Sequence, residues 1–172
     1  TGGLIKYGAG TLTLSVANSY TSGTQIAGGT LRLAHINATG STGVSFNTAS
    51  GNILQIGTDT AFVAANLPTV SAGFSNSATT NIVSDRATAG AGLTHALGAL
   101  SIGNTQMNIT AGTNVTSGTA AISFTSVAMS SATTAQTTTF NPTTANLIIT
   151  GNVTGSASLG THTLILGGTS TG

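Results

Sequence analysis

At 172 residues, the chain carries only 3% charged side chains and a formal net charge of +1, whereas about 25% of residues are charged in ordinary soluble domains. This scarcity of basic residues argues against a nucleic-acid interface, because no basic patch is available to neutralise phosphates. A mean hydropathy of +0.34, many β-branched residues and 24 glycines favour strands and turns over disorder or helices. The composition therefore predicts an all-β protein.

The first 34 residues alternate short apolar rows with glycine-rich turns. We expect strands over residues 4–7, 11–16 and 30–34, with a short side of the same coil over 24–26. The row Thr-Leu-x-Leu occurs at 11–14 and again at 30–33, so that Leu12 and Leu14 share one face and Leu31 and Leu33 repeat the arrangement. Two alternating strands at a fixed interval predict a coil that repeats.

The same alternation returns in looser form along the rest of the chain. The pairs expected to share an inward face are Leu54 and Ile56, Leu100 and Ile102, Met107 and Ile109, Ile122 and Phe124, Leu147 and Ile149, and Leu164 and Leu166. At about 20 residues per coil and about 4.8 Å between stacked strands, we expect eight or nine coils over roughly 40 Å. Each coil is stabilised by stacking on its neighbours.

Two stretches are less regular. Residues 61–81 contain apolar side chains without a clear spacing, and the threonine-rich residues 130–142 are expected to form either an exposed strand or a loop. Pro142 cannot donate a ladder hydrogen bond, so we place it at an edge or a corner. Since no break in composition divides the chain, we expect residues 1–172 to form a single β-helical segment.

The opening stretch resembles the passenger-associated transport repeat, also called the autotransporter-associated β-strand repeat. That family reads approximately as L-x-K-x-G-x-GTLTLSG-x-N-x-YTGGT followed by GTL-x-LG. The matching positions are Leu4, Lys6, Gly8, Gly10, Thr11, Leu12, Thr13, Leu14, Ser15, Asn18, Tyr20, Thr21, Gly23, Thr24, Gly29, Thr30, Leu31, Arg32 and Leu33. The chain departs from the pattern at Val16 and Ser22, where glycine is usual, and the resemblance covers about residues 2–34.

This resemblance implies a right-handed parallel β-helix, or β-solenoid, in a bacterial protein that is extracellular or displayed at the cell surface and attached to the outer membrane. In such proteins the repeat is structural, and the family has no catalytic residue to carry over. The chain itself shows no apolar run of the roughly 18 residues that span a bilayer. It also shows no signal peptide and begins with Thr1, so we expect an interior piece of a longer repetitive protein.

The sequence contains few residues that could support catalysis. Polysaccharide-degrading enzymes on β-helices need paired carboxylates, and the chain offers only Asp59 and Asp85. We expect Asp85 to form a local surface ion pair or a turn with Arg86. The sequence also argues against a calcium site, because hard cations require several carboxylates. We therefore assign no catalytic residue and no cofactor, and expect the chain not to be an enzyme.

The three histidines are the remaining candidates for metal ligands. His35, His95 and His162 fall in different coils without a short His-x-His spacing, which argues against a zinc site. His95 shares a face with Leu93 and Leu97, so we expect a buried, hydrogen-bonded imidazole. We assign no metal-binding residue.

Surface features leave a few alternatives open. Lys6 and Arg32 are expected to face outward and to keep strand edges soluble. Tyr7 and Tyr20 offer at most a small carbohydrate patch, and a regular ice-binding threonine array fails because Arg32 and Ile165 replace the second threonine of their rows. The sequons begin at Asn37, Asn108, Asn114 and Asn152.

These observations predict a structural stalk or fibre segment that stacks end to end, in tandem or between copies of itself. An adhesin that presents a glycan-binding or surface-binding face is the first alternative. A polysaccharide-degrading enzyme is the second.

Overall fold

The computed structural model describes residues 2–47, 51–63, 68–72, 78–129, 135–155 and 161–170. Within these ranges the chain forms nineteen short strands. They are β1 (Leu4–Lys6), β2 (Thr11–Leu14), β3 (Thr24–Ile26), β4 (Thr30–Leu33), β5 (Val44–Phe46), β6 (Asn52–Gly57), β7 (Val70–Ala72), β8 (Ala78–Asp85), β9 (Gly90–Ala91), β10 (Thr94–Leu97), β11 (Leu100–Ile102), β12 (Thr105–Ala111), β13 (Val115–Ser117), β14 (Ala120–Phe124), β15 (Val127–Met129), β16 (Gln136–Pro142), β17 (Ala145–Ile149), β18 (Val153–Gly155) and β19 (His162–Leu166).

The strands stack into a parallel β-solenoid, which confirms the predicted fold class. The first sheet has the order β1-β3-β5-β7-β11-β15-β18, and the second has the order β2-β4-β6-β8-β12-β16-β19. Each coil gives one strand to each of these sheets. From the fourth coil onward a third side is added by the sheet β10-β14-β17 and the short pair β9-β13. The right-handed sense of the coil stays a prediction.

The coils lengthen along the chain. In the first sheet, Leu4 pairs with Thr24 and Thr24 with Val44, which sets the first two coils at 20 residues. The next four steps along that sheet are 26, 30, 27 and 26 residues. Each long sheet holds seven strands within the described ranges, so the predicted eight or nine coils are wrong. From the fourth coil onward the third side accounts for extra residues, and seven strands span roughly 30 Å.

The core consists of columns of apolar side chains that run along the solenoid. Leu31, Leu54, Ile82 and Ile109 occupy one column of the second sheet, and each is 0% exposed. Burying a side chain of this size contributes about 1.5–3 kcal/mol. Stacking the coils is therefore what stabilises them.

Most of the predicted inward pairs are confirmed. The buried pairs are Leu54 and Ile56, Leu100 and Ile102, Met107 and Ile109, and Ile122 and Phe124. Leu147 and Ile149 are half-buried against the core. The last pair is wrong in part, because Leu164 is half-buried whereas Leu166 is 73% exposed on the final strand.

The irregular stretches are partly described. Residues 64–67, 73–77 and 130–134 lie outside the described residues; the remainder of 61–81 contains β7 and the start of β8. The threonine-rich stretch forms β16, in which Gln136, Thr138 and Phe140 are buried, so it is a core strand and not an exposed one. Pro142 ends this strand at a corner, as predicted. In the described parts of the chain, no helix is long and apolar enough to cross a membrane.

Candidate functional site

Four of the five charged side chains meet at one corner of the solenoid, where strands of the second sheet end. We call this set the charged corner: Arg32, Gln55, Asp59, Asp85, Arg86 and Asn114. Parallel register brings the residues together, since Arg32 pairs with Gln55 and Gly57 pairs with Asp85 on successive strands. The third side begins just beyond this corner, at β9 and β10.

Asp85 is the buried carboxylate of the charged corner, with 2% of its surface exposed. Its Oδ2 accepts a hydrogen bond from Gln55 Nε2 at 2.7 Å, and its Oδ1 accepts one from the Asn114 amide at 3.0 Å. Gly112 leaves the space that this carboxyl group occupies, because a Cβ there would overlap it. Neutral donors on other coils thus satisfy the buried charge.

The predicted ion pair between Asp85 and Arg86 is wrong. Asp85 still lies within the strand ladder, whereas Arg86 has left the strand and pairs with Asp59, with Nε 3.2 Å from Oδ1. Asp59 also accepts hydrogen bonds from the Ala87 and Thr88 amides and from the Thr88 hydroxyl. The bonds from Thr88, helped by the Arg86 charge, hold the pKa of Asp59 below its usual value. Both carboxylates considered for a catalytic pair are therefore engaged in local hydrogen bonds.

Lys6 does not face outward, contrary to prediction, whereas Arg32 lies on the outer face of the second sheet but is not a free surface charge. Arg32 is half-buried and donates to the Arg86 carbonyl at 3.0 Å, and its Nε is buried without a partner among the described residues. Lys6 is 7% exposed, and its ammonium donates to three carbonyl oxygens, those of Tyr7 (2.8 Å), Gly8 (2.7 Å) and Gly28 (2.9 Å). Turn carbonyls that lack a ladder partner need donors, and the cations supply them.

His95 is buried and hydrogen-bonded, as predicted, with 0% of its surface exposed. Its Nε2 lies 2.9 Å from the Asp85 carbonyl oxygen, and its Nδ1 lies 3.4 Å from the Phe62 amide nitrogen. The Phe62 ring meets the imidazole edge-on, with ring centres 5.6 Å apart. Burial lowers the pKa of His95, which favours the neutral ring.

The other two histidines lie apart from this arrangement. His35 accepts a hydrogen bond at Nδ1 from the Asn37 amide, and His162 starts β19 on the last coil. No group of three histidine, cysteine or acidic side chains is placed to hold a metal ion in the described part of the chain.

A polar cleft of about 670 Å³ opens along the turns of the first three coils. Its lining falls in residues 17–19, 21, 37, 40–43 and 68–69. Much of the polar lining is already used, since Asn18 Nδ2 donates to the Ala38 carbonyl at 2.7 Å and Thr42 Oγ1 to the Ser22 carbonyl at 3.1 Å. Tyr20 bonds through its hydroxyl to Thr24 Oγ1, whereas Tyr7 is 70% exposed.

An asparagine ladder runs along the outer face of the second sheet, and sequence reasoning missed it. Asn81, Asn108 and Asn141 occupy one column on three successive strands. Asn108 Nδ2 donates to Asn81 Oδ1 at 2.9 Å, and Asn141 Nδ2 donates to Asn108 Oδ1 at 2.8 Å. The sequon asparagines Asn108 and Asn114 thus both have structural hydrogen bonds, since Asn114 Nδ2 donates to the Arg86 and Ala87 carbonyls.

The first four strands coincide with a segment that matches a known protein family. Residues 4–33 match the family model of the Passenger-associated-transport-repeat. This match confirms the resemblance drawn from residues 2–34, and it places Lys6 and its carbonyl partners inside the repeat. No curated protein and no solved structure matches the chain.

Within the Passenger-associated-transport-repeat, the two Thr-Leu-x-Leu rows are β2 and β4, paired in register from Thr11 on Thr30 to Leu14 on Leu33. The outer column that starts at Thr13 continues as Arg32 and Gln55, so the threonine array is lost after one strand, as the sequence indicated. The repeat therefore supplies stacking surfaces and turns.

Proposed function

We propose that the chain is a structural stalk or spacer segment of a large bacterial passenger protein, secreted or held at the outer-membrane surface. The observation that carries this proposal is the continuity of the columns. One column of the first sheet contains Leu4, Thr24, Val44, Val70, Leu100, Val127 and Val153, one residue from each of its seven strands. Charged side chains in the interior and at the corner serve backbone groups and each other, which suits a non-catalytic scaffold.

The distribution of exposed apolar side chains supports end-to-end stacking. Among the described residues, eight large hydrophobic side chains are exposed, and seven of them lie on the first coil or the last two: Ile5, Tyr7, Val16, Ile148, Val153, Ile165 and Leu166. The remaining one is Val63, at 77%. Apolar surface at a strand ladder with unpaired backbone groups favours further pairing. We propose that neighbouring coils cover these faces, within a longer polypeptide or between copies.

The strand register supports one arrangement for two stacked copies. Val153 lies in the column that begins at Leu4, so a second copy placed in register continues the first sheet. In the second sheet, Leu166 lies in the column of Phe140 and Met107, which leads back through Thr80 to Asn52 on the third coil. Because the column of Leu4 and Val153 has an apolar side chain at both ends, we propose that it makes the contact between copies.

The test is concentration-dependent association of the purified segment, measured by light scattering after size-exclusion chromatography. We expect the wild type to associate and Val153→Lys to remain monomeric. Val63→Lys is the matched control, because it charges an exposed apolar residue away from both end coils and should associate like the wild type. A monomer at every concentration, or equal effects of both substitutions, would contradict stacking through this column.

An adhesin is the second candidate function, and the polar cleft of about 670 Å³ is the observation that favours it. A glycan array with the immobilised segment separates the two functions, since a spacer should bind no glycan. Binding that is lost in Ser41→Lys, a substitution at the cleft, and retained in Val63→Lys would replace the spacer proposal. Cleavage of a polyuronide that is lost in Asp59→Asn or Asp85→Asn would instead establish the enzyme alternative.

A further inference from the structure

His95 joins three separate passes of the chain beside the charged corner. The residue lies on β10, its Nε2 contacts the carbonyl of Asp85 at the end of β8, and its Nδ1 contacts the amide of Phe62 in the turn after β6. The Ala96 amide next to it donates to the Phe62 carbonyl at 2.8 Å. The turn around Phe62 is thus where the third side is attached to the coil beneath it.

The two hydrogen bonds fix the protonation state of the ring. A backbone amide can only donate, so Nδ1 must be an unprotonated acceptor for Phe62. A backbone carbonyl can only accept, so Nε2 must carry the proton that is donated to Asp85. Only one neutral tautomer satisfies both partners. An imidazolium ion would set a second N–H directly against the Phe62 N–H.

Several ionisable groups lie around this ring, and they act in opposite directions. The Asp85 carboxylate favours protonation of His95, whereas the Arg86 guanidinium disfavours it. Asp59 neutralises part of the Arg86 charge, and Arg32 donates to the Arg86 carbonyl. His35 and Asp59 line a neighbouring cleft of about 310 Å³ together with Phe62. Burial is the largest effect, and it lowers the pKa of His95 from its ordinary value of 6.5.

We propose that His95 is an acid-sensitive latch: a proton taken up from solvent at Nδ1 breaks the bond to Phe62 and releases the third side from the coil beneath it. The opening begins at the small cleft that Phe62 lines. The folded chain binds this proton less readily than the unfolded chain does. The stabilisation is therefore complete well above the ordinary histidine range and is lost as the pH falls below 6.5.

Hydrogen–deuterium exchange of the whole chain at about pH 7.5 and about pH 5 tests the latch, after correction for intrinsic exchange rates. In the wild type we expect exchange of peptides covering 58–63 and 94–97 to rise about tenfold in acid, while peptides covering 30–33 stay protected. His95→Phe keeps a ring but cannot titrate, so the acid-induced rise should disappear. His162→Phe is the matched control and should keep the rise.

Nuclear magnetic resonance of the wild-type imidazoles keeps the proposal testable if His95→Phe does not fold. We expect His95 to be the Nε2–H tautomer at neutral pH and to titrate together with the Phe62 amide signal. The opposite tautomer, an acid-independent Phe62 signal, or an equal acid response in His95→Phe would overturn the latch.

Discussion

Nε of Arg86 lies 3.2 Å from Oδ1 of Asp59, a carboxylate 27 residues earlier in the chain, although Asp85 is the sequence neighbour of Arg86. The pair links the turn after β6 to the turn after β8, and Arg86 also donates to the Ala91 carbonyl in β9 at 2.8 Å. This places the ion pair where the third side of the solenoid begins. Four of the five charged side chains of this chain are thus concentrated at one corner and not spread over its surface.

Replacing Asp59 by asparagine should reduce the dependence of stability on acid. Hydrogen bonds from Thr88 hold the pKa of Asp59 below 3.8, so the folded chain binds fewer protons there than the unfolded chain. The stabilisation is present above 3.8 and is lost as the pH falls through the lower folded value. Urea unfolding at about pH 6 and about pH 3 measures how much of this stabilisation is lost in acid. We expect a smaller acid loss in Asp59→Asn, whereas Ser19→Ala, in an exposed turn, should behave like the wild type; equal losses in all three proteins would contradict this role.

Lys6→Met should destabilise the first coils. The substitution leaves the carbonyls of Tyr7, Gly8 and Gly28 without their shared donor, and hydrogen bonds to a charged group are worth about 1.5–3 kcal/mol. Thr13→Met is the control, because Thr13 lies on the exposed side of β2 and should change the unfolding free energy by less than about 0.5 kcal/mol. Urea titration measures both variants. A Lys6→Met protein as stable as the control would show that water replaces the ammonium.

Local alternation predicted which side chains point inward but not which side of the coil they belong to. The pairs at Leu100, Met107 and Ile122 look like three rungs in the sequence. In the structure they are β11, β12 and β14, three sides of a single coil. Counting each row as a separate coil therefore gives too many coils that are too short. Alternation depends only on the pleat, whereas the side depends on where the chain turns.

The burial of side chains on the end coils could not be predicted from the sequence either. Leu31 and Leu166 both sit in Thr-Leu-x-Leu rows, yet Leu31 is 0% exposed and Leu166 is 73% exposed. The difference comes from the neighbouring strand, since β4 lies between β2 and β6 whereas β19 has β16 on one side and no described strand on the other. A pattern within one row carries no information about the row above it.

The charged corner was missed for a related reason. Each polar contact joins residues far apart in sequence, such as Gln55 with Asp85, 30 positions apart, and Arg32 with the Arg86 carbonyl, 54 positions apart. Charged residues are usually exposed, so full solvent exposure was the natural prediction for Arg32. The informative signal was the scarcity of charge itself. In a chain with only five charged side chains, those on neighbouring coils are candidates for contact with one another.

Gly29→Ala should be costly, whereas Gly23→Ala should not, although both glycines lie in the matched repeat. Gly29 has a φ of 65°, a left-handed conformation that costs other residues about 1–2 kcal/mol. A Cβ there would also stand 2.5–2.6 Å from the carbonyl oxygens of Gly8, Ala9 and Gly10, in the turn whose Gly8 carbonyl Lys6 binds. No atom lies within 4 Å of a Cβ added at Gly23. Gly23→Ala should therefore lower the entropy of the unfolded chain without a steric clash in the folded chain.

Urea unfolding of the two alanine variants should therefore differ in sign or by more than about 1–2 kcal/mol. The Gly29 variant should also lose protection from hydrogen exchange at Thr30, whose amide donates to the Gly10 carbonyl at 3.2 Å. If both variants unfold at the same urea concentration, the glycines of this repeat do not act through the turn geometry. Alanine could then replace Gly29. The register of β2 on β4 would then not depend on the close approach of Gly29 to the carbonyl oxygens of Gly8, Ala9 and Gly10.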